Sequence, residues 1–204
     1  MRYWLTLLYM IPGLLSAERA YPPYDPYQGQ FYLELGTECL RRTGPTPMCL
    51  ELLETARELD PRSGPLQLTL GQVYAGLGRL DDAVGAFARV LELDPTRVEA
   101  HLALGDLYVV RGELEAAKVS YGKFVTARPD DPIGPYSLGA VAALQLKEAE
   151  ALALLRQSVK LGFVDGAGLK ADPRWRNVLG SPDLEDILAG LPKPPADETH
   201  PHRP

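Results

Sequence analysis

The chain has 204 residues, of which 46% are apolar and 24% charged, enough for one compact domain or one short array of repeats. Its formal net charge is −6, and no Lys/Arg run is longer than Arg41-Arg42. Composition therefore gives no ground for a general attraction to nucleic acid or to an anionic membrane.

Arg2 opens the chain, residues 3–15 are largely apolar apart from Thr6 and Pro12-Gly13, and small residues follow at Ser16-Ala17. That order of positive, apolar and small residues predicts an export signal over residues 1–20, cut after Ala17 or after Ala20. The apolar stretch is shorter than the ~20 residues that span a bilayer. The mature chain is thus expected to be secreted or periplasmic, with no integral membrane span. The competing readings are an uncleaved anchor and an apolar stub docked on the fold. Residues 21–28, Tyr-Pro-Pro-Tyr-Asp-Pro-Tyr-Gln, predict an extended arm, because proline fixes φ and removes donors. At the other end, residues 192–204 are polar and broken by proline, and predict a disordered tail.

Between arm and tail lies an internal repeat. Gly71, Gly105 and Gly139 recur at a spacing of 34, as do Pro61, Pro95 and Pro129. Ala83, Ala117 and Ala151 keep the same period, followed by Phe87, Tyr121 and Leu155. Several tracks sharing one period indicate a repeat array.

Each period reads as two helices. Leu66, Leu70, Val73, Tyr74 and Leu77 have helical spacing over residues 64–77, and Gly78 ends the run. Asp81 is placed to cap the next helix, whose buried stripe is Ala83, Val84, Phe87, Val90 and Leu91. Asp94-Pro95 ends it, and Thr96 with Glu99 has the spacing of a capping box. Thr46-Pro47, Asp131-Pro132, Asp172-Pro173 and Ser181-Pro182 pair a cap with a proline at a helix start. No stretch alternates as a strand does, so the fold is expected to be all-α. Gly71 and Ala83 are expected to face each other within a hairpin, with Phe87, Tyr121 and Leu155 filling the gaps between hairpins.

These residues resemble the tetratricopeptide repeat family. The match runs through Leu70-Gly71-x-x-Tyr74, Gly78, Ala83, Phe87 and Pro95, then Leu104-Gly105-x-x-Tyr108, Gly112, Ala117, Tyr121 and Pro129. A weaker repeat has Leu138-Gly139 and Ala151, with Ala142 for the Tyr and Leu146 for the turn Gly. A degenerate first repeat has Leu35-Gly36, Cys39, Cys49 and Pro61, one residue long in its turn. The resemblance covers residues 29–161. It implies a right-handed superhelix of about four antiparallel helix hairpins. Residues 162–191, with Phe163, Leu169, Trp175, Val178, Leu179, Leu184 and Ile187, resemble the closing segment of bacterial members, so the repeat domain extends over 29–191. An array needs such a cap over its last apolar face.

Cys39 and Cys49 hold repeat positions that face each other across a hairpin. A disulfide worth ~2–3 kcal/mol is one reading, and two buried thiols are the other. No His lies near them, so no metal site is expected, and no cofactor either. His101 reads as a packing residue, while His200 and His202 lie in the tail. No nucleophile, acid–base pair or phosphate loop is apparent, so no catalysis is expected.

By the same resemblance, the first helix of each repeat lines a concave groove that holds protein or peptide. Its apolar positions here are Leu68, Leu102, Val109, Val110, Ile133, Tyr136 and Leu144, with Gln72 and Asp106 between them. An exposed apolar trough marks a partner site. The leading expectation is an exported scaffold or adaptor. The alternatives are a non-catalytic subunit of an envelope enzyme and a self-assembling structural protein. The Tyr/Pro arm offers a route to a homo-oligomer, by lying in a neighbour's groove.

Overall fold

The computed structural model describes residues 25–191. They form ten α-helices and one 3-10 turn, with no strand among the described residues. Four hairpins follow in chain order: α1 (Pro26–Thr43) with α2 (Pro47–Leu59), α3 (Gly64–Gly76) with α4 (Leu80–Leu93), α5 (Glu99–Val110) with α6 (Leu114–Ala127), and α7 (Ile133–Leu144) with α8 (Glu148–Lys160). Each second helix also packs on the first helix of the next hairpin. The closing segment is α9 (Gly166–Ala171), the 3-10 turn Pro173–Trp175 and α10 (Pro182–Ala189). This is the all-α array with a helical cap that the repeat pattern predicts. The expected export signal over 1–20, residues 21–24 of the expected arm and the expected 192–204 tail lie outside the described residues.

The end of the arm is a correction. Residues 26–28 are not extended but form the first turn of α1. Asp25 accepts from the backbone N–H of Tyr27 and of Gln28, both at 3.1 Å, and Pro26 sits where its missing N–H costs nothing. Two further expected caps fail. Asp81 lies inside the first turn of α4, without a cap bond, and its carboxylate instead meets Arg111 at 2.6 Å. Thr96 forms no capping box, because its hydroxyl and N–H both donate to Asp94. The α5 start has no side-chain cap. Where the cap-plus-proline pairs stand at Thr46, Asp172 and Ser181, each side chain accepts the expected backbone N–H. Asp131 accepts from Ile133 N at 3.0 Å.

Within a hairpin, the repeat glycine makes room for a ring rather than for the alanine. A Cβ on Gly71 would lie 2.8 Å from Phe87 Cζ, and one on Gly105 would collide with the Tyr121 ring. The aromatic therefore packs inside its own hairpin and also reaches the next one: Phe87 is buried with Ala100 and Leu104 of α5, and Tyr121 with Val141 of α7. In the fourth hairpin Leu155 stands at that place and is too short to supply a ring. Trp175 of the closing segment supplies it: a Cβ on Gly139 would lie 2.7 Å from Trp175 Cη2. Trp175 is fully buried among Ala140, Leu155, Leu169, Val178 and Leu184. The cap thus completes the last repeat as well as covering it. Leu179, expected in the cap's core, instead lies exposed at 39%, just ahead of the turn glycine Gly180.

The first hairpin is pinned differently. A disulfide joins Cys39 of α1 to Cys49 of α2, with Cα atoms 5.5 Å apart. It holds the place where later repeats have a Tyr and an Ala, and the short loop it closes is worth ~2–3 kcal/mol through the unfolded state.

The turns show one local strain. Gly78 and Gly112 have φ of 74° and 75°, but the equivalent Leu146 has φ of 61° and is 76% exposed. A leucine there carries the Cβ clash of the left-handed region and buries nothing in return. We expect Leu146→Gly to raise stability by ~0.5–1 kcal/mol, the relieved clash outweighing glycine's extra unfolded-state freedom. Trp175→Ala is expected to cost ~3–5 kcal/mol, because it opens a cavity against Gly139. Denaturant unfolding of the two variants would check both signs.

Candidate protein-binding groove

The first helices of the hairpins carry the groove positions. On α3, Leu68 is half-buried against the main core and Gln72 is exposed. On α5, Leu102 and Val109 are half-buried against Tyr121 and Val141, while Asp106 and Val110 are exposed. On α7, Ile133 is exposed at its first turn and Leu144 half-buried at its last residue. Gly76 lies at the margin, directly under the Pro45 ring of the α1–α2 turn. The open stretch is therefore an apolar strip across α3 and α5, edged by one amide and one carboxylate.

Tyr136 is the correction. It was expected to line the open groove but is 6% exposed, because the closing segment lies on α7. Its ring stacks on Phe163 at 4.7 Å between centroids and lies 5.5 Å from Trp175. Ala140 and Ala143 of the same helix are fully buried, and Asn177 donates to the Ala143 carbonyl at 3.2 Å. The chain's own cap fills the groove at the fourth repeat.

A polar network marks the boundary. Tyr136 donates to Asp172 at 2.8 Å, and Arg174 donates to both Asp172 oxygens at 2.7–3.0 Å. Arg174 then reaches across α7 to Asp106 of α5 at 3.3 Å, where Tyr121 also donates at 2.6 Å. Burial raises the Asp172 pKa, but the bonds from Arg174 and Tyr136 outweigh it, and the carboxyl titrates below its ordinary range. Burial, then the adjacent carboxylates, push the Tyr121 and Tyr136 hydroxyls up, so both stay protonated donors. For Arg174 burial acts downward, yet Asp172 holds it firmly charged. Arg174 and Phe163 were not foreseen as groove-closing residues. The available signal was Leu155, a break in the aromatic track that requires a ring from elsewhere.

The opposite face holds a second depression that the repeat register does not flag. Leu91 of α4, Leu104 and Tyr108 of α5 and Val119 of α6 border an open hollow of about 500 Å³. His101 lies at its wall, half-buried, and burial with the nearby Lys123 lowers its pKa. None of the described residues form a His/Cys/Asp/Glu cluster able to hold a metal ion, and no described helix is long and apolar enough to cross a membrane.

The tetratricopeptide repeat profile matches residues 50–98 and 68–132, which run from α2 to the end of α6. Over these residues the chain is similar to tetratricopeptide repeats. Solved structures share the fold, a tetratricopeptide repeat domain among them. A crystal structure of MamA superimposes with a TM-score of 0.63 at 22% identity, covering 72% of this chain and 82% of that one. MamA from Desulfovibrio magneticus RS-1, from residue 41 to its end, gives 0.64 at 19% identity, over 80% and 94%. The first such domain of Spaghetti (RPAP3), solved bound to an HSP90 peptide, gives 0.50 at 16% identity, over 67% and 94%. At these identities the likeness is one of fold. Among curated proteins, none matches the chain in sequence.

The boundary network has a pH signature. Asp172→Asn is expected to lower stability by ~1–3 kcal/mol near neutral pH, by removing charge-assisted bonds from Arg174. The folded carboxyl lies below the unfolded value of ~3.9, so its contribution is present above that value and fades as pH falls through the folded one. Melting temperatures of the wild-type and variant proteins should therefore converge in acid. A gap that persists unchanged would show that the carboxylate's charge is not what matters.

Proposed function

We propose that this protein is an exported scaffold that holds a polypeptide segment along the apolar strip of α3 and α5. The observation that carries this reading is the uneven closure of the groove. The cap covers Tyr136, Ala140 and Ala143 of the fourth repeat, while Leu68, Leu102 and Val109 keep solvent-facing surface beside exposed Gln72 and Asp106. Half-buried aliphatics on rigid helices present apolar area at low entropic cost, and the flanking amide and carboxylate give hydrogen bonds that fix register. The peptide-bound Spaghetti domain shows that a tetratricopeptide fold of this kind can hold a peptide. The positive–apolar–small order of residues 1–20 supports export, and the Cys39–Cys49 bridge suits an oxidising compartment.

The test is site-specific photo-crosslinking in the envelope fraction, with the reactive side chain at position 102 or, as control, at position 119 on the opposite face. A discrete adduct is expected from position 102 alone, and Leu102→Glu should reduce partner recovery by about tenfold or more. Adducts confined to position 119, or recovery untouched by Leu102→Glu, would place the partner elsewhere.

A further inference from the structure

Both ends of a repeat array expose an apolar face, and this chain treats them differently. At the C-terminal end, Leu152 and Leu155 of α8 are buried with Leu169, Trp175 and Leu184 of the closing segment. At the N-terminal end, α1 carries Tyr27, Phe31 and Leu35, one helical turn apart on one face, exposed at 89%, 57% and 41%.

The repeat register says what that face is for. Phe31 and Leu35 align with Leu66 and Leu70 of α3, which are buried with Leu53 and Ala56 of α2. They align in turn with Ala100 and Leu104 of α5, buried with Phe87 and Val90 of α4. At the same register on α7, a Cβ on Gly134 would lie 2.6 Å from Val125 of α6. In each later hairpin this position packs on the second helix of the preceding hairpin. α1 keeps apolar residues at the first two of these positions, Phe31 and Leu35, and has Glu38 where Val73, Leu107 and Val141 follow, with no described helix before it. The face is thus continuous in register with three interfaces already present in the fold. Glu34 flanks the apolar row, where Gln30 donates to it at 2.9 Å, and Glu38, paired with Arg41 and Arg42, ends the row one turn beyond Leu35.

We propose that the α1 face pairs with the same face of a second copy of this chain, giving a closed two-fold dimer. The proposal rests on the export reading. A cut after Ala17 or Ala20 leaves only residues 18–24 or 21–24 ahead of the Asp25 cap. The covering helices elsewhere have 13 or 14 residues, so the remnant is too short to do their work. With the opposite end sealed by Trp175 and Leu184, α1 is the end of the array that stays open among the described residues. A single isologous patch closes into a dimer and does not propagate into a fibre.

The experiment uses the protein recovered after export, with intact mass and sedimentation equilibrium read on the same sample. The expected result is a chain lacking residues 1–17 or 1–20 that sediments at twice its monomer mass. Phe31→Glu should weaken self-association about 100-fold or more, with unchanged helical circular dichroism, while Val119→Glu on the opposite face leaves the dimer intact. A cleaved, monomeric chain overturns the dimer and leaves export standing. An uncleaved chain that is monomeric, and becomes dimeric once residues 1–20 are removed, overturns the cleavage and keeps the self-pairing face. A dimer that survives both Phe31→Glu and Leu35→Glu places the interface elsewhere and overturns the proposal.

Discussion

The packing of a ring against a glycine is the contact on which the array depends. In the two central hairpins the helices approach closely because one lacks a Cβ and the other sends a large flat side chain into the space. Phe87 and Tyr121 do this from within their own hairpins, against Gly71 and Gly105. The fourth hairpin has Leu155 in that place, and the missing volume comes from Trp175, more than thirty residues beyond Gly139 in the chain. One substitution along the aromatic track therefore ties the closing segment to the last repeat. Interiors are packed at crystal-like density, so the fourth repeat depends on that ring for its core.

That dependence shapes the binding surface. To bring the indole against Gly139, the backbone of residues 172–175 must lie over α7. Asp172, Arg174 and Phe163 then cover Tyr136. Arg174 extends the cover as far as Asp106, where its contact with an exposed carboxylate is long and solvent-facing. The groove is thus divided by the chain itself. Its fourth-repeat section is a core, and its α3–α5 section is a surface.

The degenerate first hairpin keeps the geometry by another route. Cys39 and Cys49 replace a Tyr and an Ala, and a covalent link stands in for their packing. Gly36 still lies against Leu53, so the close approach survives without a ring. The same hairpin retains Phe31 and Leu35 at an interface register although no described helix precedes it, which is the asymmetry between the two ends of the array.

The hairpin boundaries, the all-α class and the four units were legible in the chain, because each is set by local spacing: a 34-residue period, turn glycines, and prolines next to caps. The repeat register put Cys39 opposite Cys49 but left a bridge and two thiols both open, and the structure has the bridge. Caps that rest on one side chain were less legible. Asp81 and Thr96 had partners a short distance away, Arg111 and Asp94, that competed for the same oxygens. The fate of Tyr136 was decided only by tertiary structure. Its register marks it as a groove residue, and nothing local distinguishes it from Leu68 or Leu102. What buries it is a segment some thirty-five residues later, drawn over α7 by the empty space at Gly139, and a volume deficit of that kind is a property of three packed elements rather than of any one stretch of sequence.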